Sequence, residues 1–365
     1  MTVYTWMVVL LLVAALLLNG NKKGNKKFIW VAFLVLFAVM GLRDVNSVGV
    51  DSIGIGGSYP VNYKQYGQAA WGALYKEGGE NFNIGFKYLM KLLYELTGGD
   101  YQWFITLLML FVVFSYIRFI KKYSPSPIQS ILYFLGMLYF VILADLLKQS
   151  IAMSILLFAI DAIFEKKPIK FIFIVLTASL FHFPALVFLP AYWLCRMQIG
   201  RNYLFLLSIL LLATYIFRNQ ILRFMLDAYG GDDINASMEG VRFLRNKVIV
   251  MIIIVVAAII LRPPSRGDTV YNACLVFTGM AIVFQTFCGY NNIFERLADY
   301  YFHTSIVFIP LIFEKIDLKT HVIDFGTELM IKELATPLFC AFAIWRFLST
   351  VNNSPYYNGF RFIWQ

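Results

Sequence analysis

Five charged or titratable side chains fall at or near the ends of apolar segments, where a membrane protein could expose a site: Arg43, Asp51, Lys148, His182 and Arg296. An arginine or lysine within a membrane span costs roughly 2.5–3.5 kcal/mol on insertion scales, so such residues tend to be paired or functional. Cations that collect in one place suit an anionic ligand, and a lipid-borne phosphate or pyrophosphate is the natural one. Arginine fits this ligand best, because its planar guanidinium binds two phosphate oxygens at once.

Each of these residues also has a purely structural interpretation. Arg43 could only snorkel from a helix end to the interface, and Asp51 could be a turn carboxylate. Lys148 could pair with Asp145, one helical turn earlier. The sequence leaves both interpretations open at each position.

The same choice applies to the histidine and to the last arginine. His182 could be a buried histidine that bonds a carbonyl group freed at the Pro184 break, although a histidine within the membrane is by default a candidate site residue. Arg296 could be tied up by Asp299, three residues later on the same helix.

The composition sets the protein class. The chain has 365 residues, of which 60% are hydrophobic and 14% are charged, and this is too little charge to cover a soluble core. Repeated apolar runs of roughly 15–20 residues predict an all-α, polytopic transmembrane helical bundle. The net charge of +10 is typical of positively charged inner loops and does not call for a nucleic-acid partner.

The topology follows from the positive-inside rule. Lysine clusters after the first, third and fifth apolar runs predict cytoplasmic loops there, so we expect about twelve spans, some short or broken, with both termini outside. We expect residues 1–365 to form one transmembrane domain with outer loop segments at about 43–100 and 218–247. Within the second segment, Arg242 and Arg245 are interpreted as lipid-headgroup contacts. Asp232 and Asp233 are interpreted as a solvated turn.

Three local features should organise the outer side. Apolar residues at helical spacing predict an amphipathic surface helix over residues 82–96 that ends at Gly98–Gly99. The FHFP stretch (Phe181–Pro184) predicts a broken helix, since a proline disfavours helix at the residue before it. Ala144–Ser150 is expected to be a polar outer connection that carries Lys148.

These stretches together resemble the EpsG family, the Wzy-like polymerases of bacterial exopolysaccharide and capsule synthesis. The matching stretches are GLRDVNSVGVDS (Gly41–Ser52), NFNIGFKYLMKL (Asn81–Leu92), LLKQSIAMSI (Leu146–Ile155), SLFHFPALVFLP (Ser179–Pro190), ERLADYYF (Glu295–Phe302) and SPYYNGFRFIW (Ser354–Trp364). They follow the family's order over nearly the whole chain. Lys148 stands where the family usually has arginine. The lysine keeps the positive charge but lacks the planar guanidinium that binds two oxygens at once.

The resemblance implies a GT-C-like fold and a glycosyl transfer at the outer leaflet of the bacterial inner membrane. The donor would be an oligosaccharide repeat on undecaprenyl pyrophosphate, and the acceptor would be another lipid-linked repeat. Arg43, Lys148 and Arg296 would hold the pyrophosphate and stabilise charge as it leaves. Asp51 or His182 would take the proton from the acceptor hydroxyl, which makes Asp51, His182 and Arg296 the expected catalytic residues.

Cofactors, partners and alternatives complete the expectations. The sequence carries no nucleotide-binding or metal-binding motif, so we expect neither a cofactor nor a metal. The lipid bilayer is the expected environment, with a chain-length regulator and a flippase as candidate partners. An O-antigen-type ligase and a flippase or transporter of lipid-linked glycans remain alternatives. A transporter should carry its charges near the bilayer midplane, whereas these lie at the outer ends of spans.

Overall fold

The computed structural model describes residues 2–18, 22–51, 59–76, 83–197, 199–229, 241–261, 268–314 and 325–365. Asp232, Asp233 and the side chains of Arg242 and Arg245 lie outside this described part. Over it the chain is all-α, as predicted. Its helices are α1 (Val3–Leu18), α2 (Lys22–Gly41), α3 (Tyr59–Gln68), α4 (Ile84–Thr97), α5 (Tyr101–Tyr123), α6 (Pro127–Gly136), α7 (Tyr139–Asp145), α8 (Leu147–Phe164), α9 (Pro168–Phe181), α10 (Ala191–Leu194), α11 (Arg201–Ile216), α12 (Arg218–Tyr229), α13 (Val241–Leu261), α14 (Thr269–Gln285), α15 (Ile293–Phe302), α16 (Ser305–Glu314) and α17 (Phe325–Asn353).

The helices are those of a membrane protein. Among the described residues, 4 helices are long and apolar enough to cross a membrane, or up to 6 if each of two bent pairs forms one span. The bent pairs are α6 with α7 and α11 with α12, which turn by 59° and 70°. The other predicted spans correspond to shorter apolar helices, such as α1, α9 and α14. The bundle is therefore polytopic, with several broken or short elements of the kind the sequence predicts.

The predicted breaks fall where local chemistry puts them. Helix α4 ends at Gly98, which adopts a left-handed conformation with φ 65°. Helix α9 ends at Phe181, His182 is extended, and a 3-10 helix follows over Phe183–Phe188. The predicted polar connection at Ala144–Ser150 is wrong, because only Leu146 interrupts the helix there and Leu147 is buried.

The long helices share two chemically different ends. Helix α5 begins beside the end of α2, where the Thr106 hydroxyl donates to the Gly41 carbonyl at 2.7 Å, and it ends with Lys121 and Lys122. The first residue of α8, Leu147, contacts Asp51, and near the other end of this helix Asp161 Oδ1 lies 2.9 Å from Lys122 Nζ. We call these the Asp51 end and the basic end. The basic end comprises Lys121, Lys122, Lys166, Lys167, Lys170 and Arg196.

The C-terminal tail folds back onto the loop that follows α2. The Asp44 amide donates to the Arg361 carbonyl at 2.8 Å, and the Ile363 amide donates to the Leu42 carbonyl at 3.0 Å. An ion pair of 3.0 Å between Arg361 and Asp44 supports this short antiparallel pairing. The sequence predicts a tail at the membrane interface, and the structure adds that this tail fixes the loop carrying Arg43 and Asp51.

Candidate active site

Asp51 caps a helix that is distant from it in the sequence. Its Oδ2 accepts a hydrogen bond of 3.0 Å from the amide of Leu147, the first residue of α8. The first amides of a helix have no partner within the helix and carry a partial positive charge, so a carboxylate is favoured there. The preceding residue, Leu146, has no side chain that could cap α8, and Asp51 supplies that function from the loop after α2.

Two cations and two proton acceptors meet at this point. Asp51 is only 7% exposed, and burial raises the pKa of its carboxyl to about 6. The Leu147 amide and the charges of Arg296 and Lys148 lower this pKa, which leaves burial dominant. Arg296 and Lys148 also act electrostatically on His182. The structure thus brings together four of the five predicted site residues.

The fifth, Arg43, lies beside them in a structural position. It is 2% exposed, its Nη2 donates to the Ala144 carbonyl at 2.9 Å, and its charge acts on Asp145. Asp145 in turn accepts a hydrogen bond of 3.1 Å from the Val50 amide. In this arrangement Arg43 ties the loop after α2 to the end of α7, and direct contact with a phosphate stays a prediction.

Gly49 makes room for the Arg43 guanidinium. Its φ is +97°, and a Cβ atom at this position would lie 3.0 Å from Arg43 Nη2 and 3.1 Å from Cζ. We therefore expect Gly49→Ala to lower the apparent melting temperature in detergent. The expected cost is about 1–2 kcal/mol of backbone strain, together with about 1–3 kcal/mol of overpacking.

Gly98→Ala is the matched control for that substitution. Gly98 also has a positive φ, of +65°, but a Cβ there would meet no atom within 4 Å. Gly98→Ala therefore introduces backbone strain without a steric clash. Equal melting temperatures for the two variants would show that the contact between Gly49 and Arg43 contributes nothing.

His182 occupies the break between α9 and the 3-10 helix. It is 3% exposed, and its Nδ1 is hydrogen-bonded to the Tyr300 hydroxyl on α15. The Asn83 side chain, next to the start of α4, accepts a hydrogen bond of 3.2 Å from the Phe183 amide and so stabilises the break. The proline-induced break therefore directs His182 toward α15, which carries Arg296.

Arg296 lies in the first part of α15, and a buried ion-pair network holds this helix. Its carbonyl accepts a hydrogen bond of 3.4 Å from the Gln149 side chain on α8. Asp299 bonds Lys247 of α13, with an Nζ–Oδ1 distance of 2.5 Å, and Lys247 also reaches Glu295 at 3.0 Å. Asp299 is thus held by Lys247, and the charge of Arg296, its suggested partner, also acts on it.

Removal of Lys247 should destabilise the bundle. The Lys247 and Asp299 side chains are only 7% and 3% exposed, so Lys247→Ala would leave a buried carboxylate uncompensated. Such a loss costs about 3–5 kcal/mol, which should appear as a lower apparent melting temperature in detergent. Lys170→Ala is the control, because its pair with Glu165 is exposed and worth about 0–1 kcal/mol. A shift no larger than that of the control would contradict this expectation.

Lys148 packs against the aromatic residues of α3. It lies in the first turn of α8, and its Nζ is 5.6 Å from the centre of the Tyr59 ring. The cavity that Lys148 lines with Tyr66 and Lys87 has a volume of only about 10 Å³, room for about one water molecule. The suggested partner of Lys148, Asp145, is held by Val50 and Tyr357 and feels the charge of Arg43.

Sequence reasoning missed the long-range contacts that support this site. Asp145, Tyr300 and Lys247 contact the predicted residues or fix their helices, yet their partners lie about 50 or more positions away. The one available signal for Lys247 was its place directly before the apolar run Val248–Leu261. No group of three or more metal-binding side chains occurs among the described residues.

Comparison with known proteins gives one match. The model of the EpsG family matches residues 26–358, which include all five predicted site residues and most of the helices described above. No curated protein and no solved structure matches the chain. The match covers nearly the whole sequence and agrees with a polytopic helical bundle whose polar residues converge at one end. The protein therefore belongs to the EpsG family, which supports a polymerase-like function related to exopolysaccharides.

Proposed function

We propose that the protein is a membrane glycosyltransferase that polymerises oligosaccharide repeats linked to undecaprenyl pyrophosphate. The reaction would take place at the outer leaflet of the bacterial inner membrane. One observation carries the proposal: Asp51 caps α8 next to Lys148, and Gln149 of α8 and His182 both contact α15, which carries Arg296. The lysine clusters lie at the other end of the same helices, which the positive-inside rule assigns to the cytoplasm.

The proposed glycosyl transfer forms one bond, breaks one bond and moves one proton. The acceptor hydroxyl oxygen attacks the anomeric carbon of the donor sugar and forms the new glycosidic bond. The bond between that carbon and the pyrophosphate oxygen breaks, and the electron pair leaves with the pyrophosphate. Asp51 or His182 takes the proton of the acceptor hydroxyl. The pyrophosphate receives no proton and therefore departs as an anion.

The two cations would stabilise the charge that develops on the leaving group. Fixed cations in a partly buried site act most strongly where charge appears in the transition state. Arg296 can contact two phosphate oxygens at once, whereas the Lys148 ammonium acts as a point charge. Arg43 would act as a positioning residue, because it links the loop carrying Asp51 to α7 through the Ala144 carbonyl and Asp145.

The direct test is polymerisation by the purified protein in detergent. We expect wild type, given the native lipid-linked repeat, to produce a ladder on the lipid carrier in steps of one repeat. Detergent micelles have no two sides, so a flippase or transporter would leave the substrate unchanged. A ligase would transfer glycan once, to a different acceptor, without a ladder. Folded wild-type protein that produces no ladder would refute the proposal.

A further inference from the structure

A second charged cavity lies at the opposite end of α8 from Asp51. Asp161 is 13 residues after Lys148 on this helix, which places it about 20 Å farther along the axis. The cavity has a volume of about 430 Å³ and lies where the ends of α5 and α8 meet the start of α14. It is too far from Asp51 to belong to the candidate active site.

The carboxylates in this cavity are already neutralised. Asp161, whose side chain is 4% exposed, bonds Arg118, Lys122 and Tyr123. Glu165 bonds Lys167 at 3.1 Å and Lys170 at 3.0 Å. The lining itself carries Lys122, Lys166 and Arg196 against the two carboxylates, a net charge of +1, and the adjacent ion-pair partners Arg118, Lys167 and Lys170 raise the local charge to +4.

Arg196 is held in place at the cavity wall. Its guanidinium lies 3.5 Å from the centre of the Tyr192 ring and donates to the Tyr192 carbonyl. It also reaches the Ile163 carbonyl of α8 at 3.4 Å. The buried Arg118 Nη1 has no hydrogen-bond partner among the described residues. Fixed guanidinium groups around a cavity with excess positive charge suit a phosphate.

The surroundings of the cavity favour a lipid as the source of that phosphate. Trp193, next in sequence to Tyr192, is 53% exposed, and Ile169 and Phe173 on α9 are 83% and 70% exposed. Exposed apolar side chains beside a tryptophan and a row of lysines are typical of the level where lipid headgroups lie. Basic pockets between transmembrane helices at this level bind anionic headgroups.

We propose that this cavity binds the headgroup phosphate of an anionic phospholipid from the leaflet at the basic end. Lys166 and Arg196 would contact the phosphate, while Asp161 holds Arg118 and Lys122 at the rim. Such a lipid would join α8 and α14 at this end, far from the site of glycosyl transfer. The proposal does not depend on the proposed function.

The test is lipid binding to delipidated protein, measured by native mass spectrometry with phosphatidylglycerol and with phosphatidylcholine. We expect wild type to prefer phosphatidylglycerol. The double variant Lys166→Gln/Arg196→Gln should weaken binding about tenfold or more, the loss expected for one charge-assisted hydrogen bond. The matched control is Lys26→Gln/Lys27→Gln, which removes the same charge from exposed lysines near the start of α2 and touches neither the cavity lining nor the partners of Glu165.

Several outcomes would overturn the proposal. Equal affinity for the two lipids, or equal losses in the two double variants, would reduce the effect to general surface charge. Inorganic phosphate or glycerol phosphate that competes at micromolar concentration would identify a soluble anion as the ligand. If the double variant does not fold, Lys166→Gln alone serves as the loss variant, and Arg196→Lys should retain binding because it keeps the charge.

Discussion

Asp51→Asn is expected to lower the rate of chain lengthening by about 10²–10⁴-fold, the contribution of a general base. Asparagine has the same shape and can still accept the hydrogen bond from the Leu147 amide, so α8 should keep its cap. The substitution removes only the ability to take a proton. A fall in rate without a fall in apparent melting temperature would separate catalysis from folding.

The pH dependence sharpens this test. Burial raises the pKa of Asp51 to about 6, so its ionised, proton-accepting form is lost as the pH falls through about 6. Wild-type kcat/KM should therefore fall on the acid side of pH 6, and the variant should lack this limb. The contribution to stability has the opposite sense, because a raised carboxyl pKa favours folding at low pH. An acid limb near pH 6 that persists in Asp51→Asn would remove Asp51 from the role of base.

Arg296→Ala is expected to lower kcat by about 10²–10³-fold, the loss seen when one group that stabilises transition-state charge is removed. Its charge acts on Asp51, His182 and Asp299, so it lies at the centre of the proposed site. A change mainly in kcat would indicate stabilisation of the leaving group, and a change mainly in KM would indicate substrate binding alone. The kcat of Arg296→Lys should lie between those of wild type and Arg296→Ala, because lysine keeps the positive charge but cannot bind two phosphate oxygens at once.

Arg218→Ala is the matched control for the arginine. Arg218 is half-buried at the start of α12, and its guanidinium lies 4.5 Å from the centre of the Tyr215 ring. The substitution Arg218→Ala removes the same charge as Arg296→Ala, but at a position outside the proposed site. Full polymer from Arg296→Ala at normal expression would remove Arg296 from the mechanism.

The sequence predicts well those features that depend on near neighbours. Apolar spacing and Gly98 predict α4 and its end, and Pro184 predicts the break at His182. Charge sidedness places Lys148 and His182 at the same end, and the structure brings both near Asp51. Each of these signals lies within one or two helical turns of its effect.

What the sequence could not predict depends on distant partners. Lys247 and Asp299 are 52 positions apart, and neither residue type indicates which partner it will meet once both are buried. Asp51 caps α8 from 96 positions away, and no residue near Leu146 offers a local cap. The sequence around Leu146 therefore indicated a polar connection where the structure has the start of α8. Arg43 reads as a ligand-binding cation, yet its contacts with Ala144 and Gly49 exist only after α2 and α7 have packed.

The pairing of the tail with the loop after α2 constrains when the site can form during biosynthesis. Asp44 and Leu42 receive their partners from Arg361 and Ile363, more than 300 positions later. The ribosome must therefore pass Ile363 before the loop carrying Asp51 receives all of these contacts. A nascent chain that has not yet reached Arg361 would contain all five predicted site residues without the contacts that hold this loop.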